Sequence, residues 1–200
     1  MNTPFNPPPL TETRAWVERA VVGLNLCPFA KAPHAKGQIR YVLSDAADPR
    51  QLLADLQREL KSLAEADPLL IETTLLVHPG VLQAYDDFND FLDPAEALLE
   101  AMDLDGVIQI ASFHPDYRFE GDAADAIGNA TNRSPYATLH LLREASVACA
   151  VEAFPDPAAI FEANLSTLQA LGDAGWQALR AQCRRDAAAV AAAKAEPDPK

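Results

Sequence analysis

The sequence predicts an α/β fold: a small, at least partly parallel sheet of three to four strands covered by about six helices. Three observations carry that expectation. Short apolar, β-rich runs at Gln38–Leu43, Leu69–Val77 and Val107–Phe113 are separated by amphipathic helical patterns. A capping Asp or Ser stands directly before proline at Asp48-Pro49, Asp93-Pro94, Ser134-Pro135 and Asp156-Pro157, the pairing that opens helices. With 200 residues, 49% of them hydrophobic and 22% charged, the chain has enough apolar surface for one sizeable core.

The elements follow in order. Residues 1–10 hold four prolines and no periodic pattern, and read as a flexible arm. Residues 11–186 read as a single α/β domain. Helix one spans Glu12 to Leu24, with Trp16, Val17, Ala20 and Leu24 on one face. Helix two runs from Pro49 to Glu65 on a stripe of Leu52, Leu53, Leu56, Leu60 and Leu63. Gln51 stands at its N3 position, as Glu96 does after Asp93-Pro94, where a capping box reaches back. Helix three covers Val81–Leu92 and restarts at Pro94. Helix four is read from Pro135 to Ala153 and helix five from Pro157 to Leu171, ended by Gly172. Asp173 caps a last helix carrying Trp176 and Leu179. Residues 187–200 read as an alanine-rich helix end and a disordered tail.

Composition excludes several functions. A net charge of -13 and a pI near 4.6 argue against nucleic acid and against anionic membranes as partners. No apolar run is long enough for a membrane span, and the first residues lack a basic and apolar leader. Cys27, Cys149 and Cys183 are too few and scattered for a disulfide framework, so a reducing cytoplasm is expected. The P-loop, dinucleotide-binding, nucleophile-elbow, zincin and C-x-x-C signatures are absent. Between Ser62 and Tyr117 twelve Asp or Glu residues occur and no Lys or Arg. The block around Asp86, Asp87, Asp90 and Asp93 reads as a solvated helix face, with a divalent-cation site as the alternative.

Position, more than motif, marks the candidate site. Two strands end in His-Pro, at His78 and His114, and ligands of open α/β sheets bind beyond the carboxyl ends of strands. A histidine there either satisfies a strand end or moves protons and binds metal. The long segment from Pro115 to Arg133 follows, anchored by Tyr117 and Phe119. Ser134 is read as the N-cap of helix four. Its free N–H groups beside Arg133 would seat a carboxylate or phosphate. Tyr136, His140 and Arg143 recur at one-face helical spacing. Glu72 shares the His78 face of its strand, where Arg133 or Arg143 would pair it. Gln109 raises the same question at mid-strand. Cys27 lies among Lys31, His34 and Lys36, cations that favour a thiolate; packing as a small hydrophobe is the alternative. Cys149 reads as core and Cys183 as peripheral.

Four blocks carry a resemblance: G-L-N-L-C-P-F-A from Gly23, I-E-T-T-L-L-V-H-P from Ile71, G-V-I-Q-I-A-S-F-H-P-D-Y-R-F from Gly106 and T-N-R-S-P-Y-A-T-L-H-L-L-R-E from Thr131. Over residues 11–172 the chain resembles a bacterial family classed as a domain of unknown function, number 1415. The resemblance implies a cytoplasmic protein of about one domain and no particular substrate. The residues themselves allow three readings. The first is an enzyme on a small anionic substrate, with His114 as acid or base, Tyr117 or His140 assisting, and Cys27 as second-choice nucleophile. Arg133, Arg143, Ser134 and Glu72 would then serve substrate binding. The second is an iron or zinc site drawing on His114, His140, Cys27 and Glu72 or Asp116. The third is a non-catalytic binding or assembly module. Oligomeric state and cofactor are left open.

Overall fold

A computed structural model describes residues 8–153 and 157–195. The expected arm, at residues 1–7, and the end of the tail, at residues 196–200, lie outside the described residues. Among those described, four strands form one mixed sheet: β1 (Ile39–Leu43), β2 (Thr73–Val77), β3 (Ile108–Phe113) and β4 (Thr138–Arg143), in the spatial order β1-β2-β4-β3. β1 and β2 are parallel, joined across the sheet by α3 (Pro49–Glu65). β4 lies between β2 and β3, antiparallel to both. β2 and β3 therefore run the same way. Their carboxyl ends meet the start of β4 along one rim, where Val77 faces Thr138 and Thr138 faces Phe113.

The fourth strand corrects the reading of helix four. T-L-H-L-L-R alternates Thr138, His140 and Leu142 with Leu139, Leu141 and Arg143, a period of two. Leucine and arginine form helices readily in isolation. Here a central position, with a partner strand on each side, overrides that preference. Only Glu144–Ala153 is helical (α6). Ser134 consequently caps no helix; its hydroxyl donates to the carbonyl of Tyr136. The stripe of Tyr136, His140 and Arg143 also dissolves, because in a strand Arg143 points to the face opposite His140.

Each face of the sheet has its own core. On one face α3, α4 (Tyr85–Asp90) and α5 (Leu92–Ala101) cover Leu76, Leu139 and Leu141. Helix α3 starts as expected: Asp48 Oδ1 accepts the Gln51 N–H at 2.9 Å and Pro49 occupies the first turn. Its Leu52, Leu56, Leu60 and Leu63 have no accessible surface, each burial contributing roughly 2 kcal/mol. Asp86, Asp87, Asp90 and Asp93 are exposed, and Asp86 pairs with Arg118 at 2.7 Å, so the acidic block is a solvated face.

On the other face α1 (Pro9–Trp16), its π-helical continuation Val17–Val22 and α7 (Pro157–Ala195) enclose Trp16, Ala20, Leu75, Leu168, Trp176 and Cys183. The arm thus ends earlier than expected, since Pro9 and Leu10 already belong to α1. Helix α7 breaks at Gly172, whose φ of 66° places it in the left-handed region that glycine enters freely; this is the expected end of helix five. The strand expected from Leu69 begins at Thr73, and Leu69 and Leu70 are exposed turn residues.

Candidate functional site

Strand alternation divides the rim. Phe113 ends β3 on the α1/α7 face, so the next residue, His114, turns to the α4 face. His78 ends β2 on that same side. Both rings flank the fully buried Phe88, with centroids 5.6 Å (His78) and 5.2 Å (His114) away. Neither histidine has accessible surface. His114 Nδ1 accepts the Asp116 N–H at 3.1 Å, so its other nitrogen carries the proton and donates to the Leu82 carbonyl at 3.3 Å. His78 Nδ1 donates to the Val81 carbonyl at 3.2 Å, and its Nε2 is buried without a partner. Burial lowers both pKa values, that of His78 to about 4, with the neighbouring His114 a lesser cause for His78. These two histidines fasten the turn between β2 and α4.

Tyr117 continues the same cluster. Its ring lies 5.5 Å from Tyr85 and 5.0 Å from Phe119. Burial, and then Tyr85, raise its pKa. Tyr117 and Phe119 anchor the long segment, as expected of them, and Phe119 reaches Phe161 of α7.

His140 faces the other way, so His114 and His140 share no pocket. Thr73 Oγ1 donates to the Leu141 carbonyl at 2.6 Å and therefore accepts from His140 Nε2, also at 2.6 Å. His140 is thus neutral with Nδ1 as a lone pair, which has no partner among the described residues. Burial lowers its pKa to about 4. Phe113 lies 5.8 Å from it, and Trp16 5.3 Å from Phe113.

The remaining candidates are redistributed. Arg143 Nη2 donates to the carbonyls of Leu63 and Ala66 at 2.8 Å and of Ile71 at 3.2 Å, closing the C-terminal end of α3. Its Nε is buried without a partner. Glu72 precedes β2 at the rim opposite His78; its N–H donates to Gln38, and neither Arg133 nor Arg143 pairs with it. Gln109 is half-buried opposite Leu142. Cys27 is half-buried at the start of a 3-10 turn, Pro28–Ala30, which leads into α2 (Lys31–Ala35). Burial pushes its thiol up, against the smaller opposing effect of the Ala30 and Phe29 N–H groups. Lys31 and Lys36 point to solvent, so no lysine-activated thiolate forms there. Cys149 is exposed, and Cys183 is buried, with its thiol pushed up to about 11 chiefly by burial; both departures follow from β4 displacing the helix-four stripe and from α7 packing on α1. Among the described residues no three His, Cys, Asp or Glu side chains gather as a metal site, and the expected ligand set is split between the two faces.

Arg133 does stand at the rim, where β4 is about to start. Its Nε donates to the Tyr117 carbonyl at 3.2 Å and an Nη to that of Ala124, which pins the long segment. It also lines a narrow cleft between α1 and α7 with Glu12, Trp16, Ser134, Arg180 and Cys183. The free space is about 10 Å³, room for about one water-sized group. Glu12 Oε2 accepts the Tyr136 hydroxyl at 2.9 Å. Arg180 is half-buried and has no carboxylate partner among the described residues. Burial lowers its pKa, and Arg184 and Arg133 add to that, against Glu12 and Asp116. The indole N–H of Trp16, a residue 3% exposed, is buried and unpaired. The sequence reading missed Arg180, Glu12 and Trp16 as site residues. The signal was present: Trp176, Arg180, Cys183 and Ala187 form one helical stripe, and a single arginine interrupts it.

The fold and the cleft define a mixed-sheet α/β protein with a basic niche at the rim where β2 and β3 end and β4 begins. The chain belongs to the family described as "Protein of unknown function (DUF1415)", whose match spans residues 9–178. Neither the curated proteins nor the solved structures provide a match. No helix among the described residues is long and apolar enough to cross a membrane.

Proposed function

We propose that this protein binds a small anionic molecule in the cleft between α1 and α7, with Arg133 and Arg180 holding its negative charge. One observation carries the reading: Arg180 is half-buried beside Arg133 with no carboxylate partner among the described residues. In a chain of net charge -13, a cleft arginine without a carboxylate partner is a seat for a ligand's anion. The same net charge supports a small molecule over nucleic acid or a membrane surface as the partner. Three free cysteines support a cytoplasmic setting.

Catalysis centred on histidine has weaker support. His78 and His114 have no accessible surface, and His140 is separated from the cleft by Phe113 and Trp16. A pKa near 4 also makes His140 a weak base at neutral pH. Its free Nδ1, with Thr73 fixing the opposite nitrogen, is the one arrangement that favours an enzyme.

The test is thermal denaturation of wild type with a panel of monocarboxylates, dicarboxylates, phosphates and sugar acids. At least one anion should raise the melting temperature by mass action. Arg180→Ala should leave the unliganded protein within about 0.5 kcal/mol of wild type, as an unpartnered side chain does, and should abolish the ligand's effect. A panel with no effect on wild type refutes the reading.

A further inference from the structure

We propose that β1 is the contact between two copies of this chain: two β1 strands pair antiparallel about a twofold axis at Tyr41 and join the two four-stranded sheets into one. The proposal is independent of the anion reading and rests on what the edge of β1 leaves unpaired. β1 lies at one edge of the sheet, with β2 on its inner side. The Ser44 N–H donates to the Val77 carbonyl at 2.8 Å, and the Gln38 carbonyl accepts the Glu72 N–H at 2.9 Å. Successive residues of a strand aim their backbone groups to opposite sides. Gln38, Arg40, Val42 and Ser44 therefore face β2, and Ile39, Tyr41 and Leu43 aim N–H and C=O outward. None of those outward groups has a hydrogen-bond partner among the described residues. The strand also lacks the usual guards of an edge, which are proline, a bulge or an outward charge. Its register against β2 runs unbroken from Ile39 to Leu43, and its one charged side chain, Arg40, is turned onto α3, where it meets Glu59 and Ser62.

The opposite edge, β3, is finished differently. The Ile108 N–H donates to the Leu104 carbonyl at 3.0 Å, the Ser112 carbonyl accepts from the Asn132 side chain at 3.3 Å, and the His114 N–H donates to the Asn132 carbonyl at 3.2 Å. That edge is closed at both ends, and the β1 edge is open along its length. The open edge is also complementary to itself. With the axis at Tyr41, Tyr41 exchanges both its groups with Tyr41 of the second copy, and Ile39 exchanges both with Leu43 of the second copy, so every outward group is paired. The Leu43 side chain, 37% exposed, then packs on Ile39 across the axis. Charge agrees with the antiparallel direction. Lys31 and Lys36 stand just before β1 and Asp45 just after it; all three are exposed, and none has an ion-pair partner among the described residues. The twofold axis sets the basic start of each strand beside Asp45 of the other, once on each side. A strand from an unrelated protein could use the backbone groups, but nothing would supply it with this match of charges.

The experiment is sedimentation velocity of the full chain over a range of concentrations, with amide hydrogen exchange followed by NMR at the two ends of that range. The sedimenting mass should rise from 21.6 kDa to twice that value. In the dimer the Ile39, Tyr41 and Leu43 amides should become slow to exchange. The Ile110 amide is the control: it faces outward on β3, since the Glu144 N–H donates to the Val107 carbonyl and sets the alternation there, and its exchange should not change. Asp45→Lys or Lys36→Glu alone should weaken dimerisation about tenfold, because each acts twice across the axis, and the two substitutions in one chain should restore it. Both side chains are exposed, so the melting temperature of the monomer should hold. A chain that stays monomeric at its highest soluble concentration overturns the proposal. So does a dimer that protects the Ile110 amide and leaves Tyr41 exchanging freely, and so do single charge variants that dimerise as tightly as wild type.

Discussion

The rim of the sheet has two sides built from similar materials and finished differently. On the α4 side, His78, Phe88, His114, Tyr85 and Tyr117 stack ring against ring, and their polar atoms close on backbone carbonyls, amides and neighbouring side chains. Buried atoms without a partner remain on this face too: His78 Nε2, Thr74 Oγ1 and, at the far end of β4, Arg143 Nε. On the α1/α7 side the rings of Trp16 and Phe113 also pack, yet the buried Trp16 indole N–H finds no acceptor and the half-buried Arg180 no carboxylate among the described residues. The lesson is that buried, chemically capable residues do not by themselves mark a site. Polar groups the fold leaves unpaired do so better, because an unpaired buried donor is costly unless something else satisfies it. Variants on the closed side should therefore cost stability and spare binding, and variants on the open side should do the reverse.

The largest expected effect is away from the rim, at Arg143 at the far end of β4. Arg143→Met keeps the aliphatic stem and strands three carbonyls, those of Leu63, Ala66 and Ile71. Urea denaturation should show a loss on the order of 3 kcal/mol, given about 1.5–3 kcal/mol for a hydrogen bond to a charged group and the desolvation of what remains. The shift caused by a bound anion should be unchanged. A stable Arg143→Met protein that no longer binds would return Arg143 to the substrate site.

Acid should next separate the two sides. His78 and His140 are held near 4 and His114 is also lowered, all chiefly by burial. In the unfolded chain histidine titrates near 6.5. The folded protein therefore keeps these rings neutral where the unfolded chain takes up protons. Their contribution is complete above about pH 6.5 and is lost as pH falls toward 4. For His78 the loss amounts to about 3 kcal/mol across that window, at about 1.4 kcal/mol per pH unit. Two of the three rings, His78 and His114, belong to the closed side and His140 to the open one, so acid weighs more on the closed side. Urea midpoints at pH 7, 5.5 and 4.5 measure this, and a flat profile would mean that the histidines are solvated.

How much of this could be read from the sequence differs by region for physical reasons. The start of α3 was legible because capping is local, with Asp48, Pro49 and Gln51 acting within one turn, whereas Asp93 lies inside α5, whose N-cap is Phe91. The break at Gly172 was legible for the same reason. That His78 and His114 share a rim followed from strand direction. The segment after Ser134 was misread because Ser-Pro and the Leu-rich run have helical preferences locally, while pairing with β2 and β3 is a long-range fact. Arg143 looked like an anion ligand because sequence shows charge and not the carbonyls that consume it. Arg180 escaped notice because its importance lies in lacking a partner, which only the packing of α7 on α1 shows.

The smallest effect, on thiol labelling, tests the comparison without changing stability. The lysines near Cys27 favour faster alkylation of Cys27 than of Cys149, and the structure reverses that order. Cys149 is exposed on α6, whereas Cys27 is half-buried with its thiol pushed up by burial and its neighbouring lysines turned to solvent. Cys183, buried and pushed up to about 11, should react last. Only the thiolate is reactive, so accessibility and pKa act in the same direction. Mass spectrometry of the partially alkylated native protein should find Cys149 labelled first, then Cys27, then Cys183. Because Cys183 lines the cleft, a saturating anion should slow its labelling further and leave Cys149 unaffected. Labelling of Cys27 ahead of Cys149 would restore the lysine-activated thiolate. Equal labelling of Cys183 with and without ligand would place the anion somewhere other than between α1 and α7.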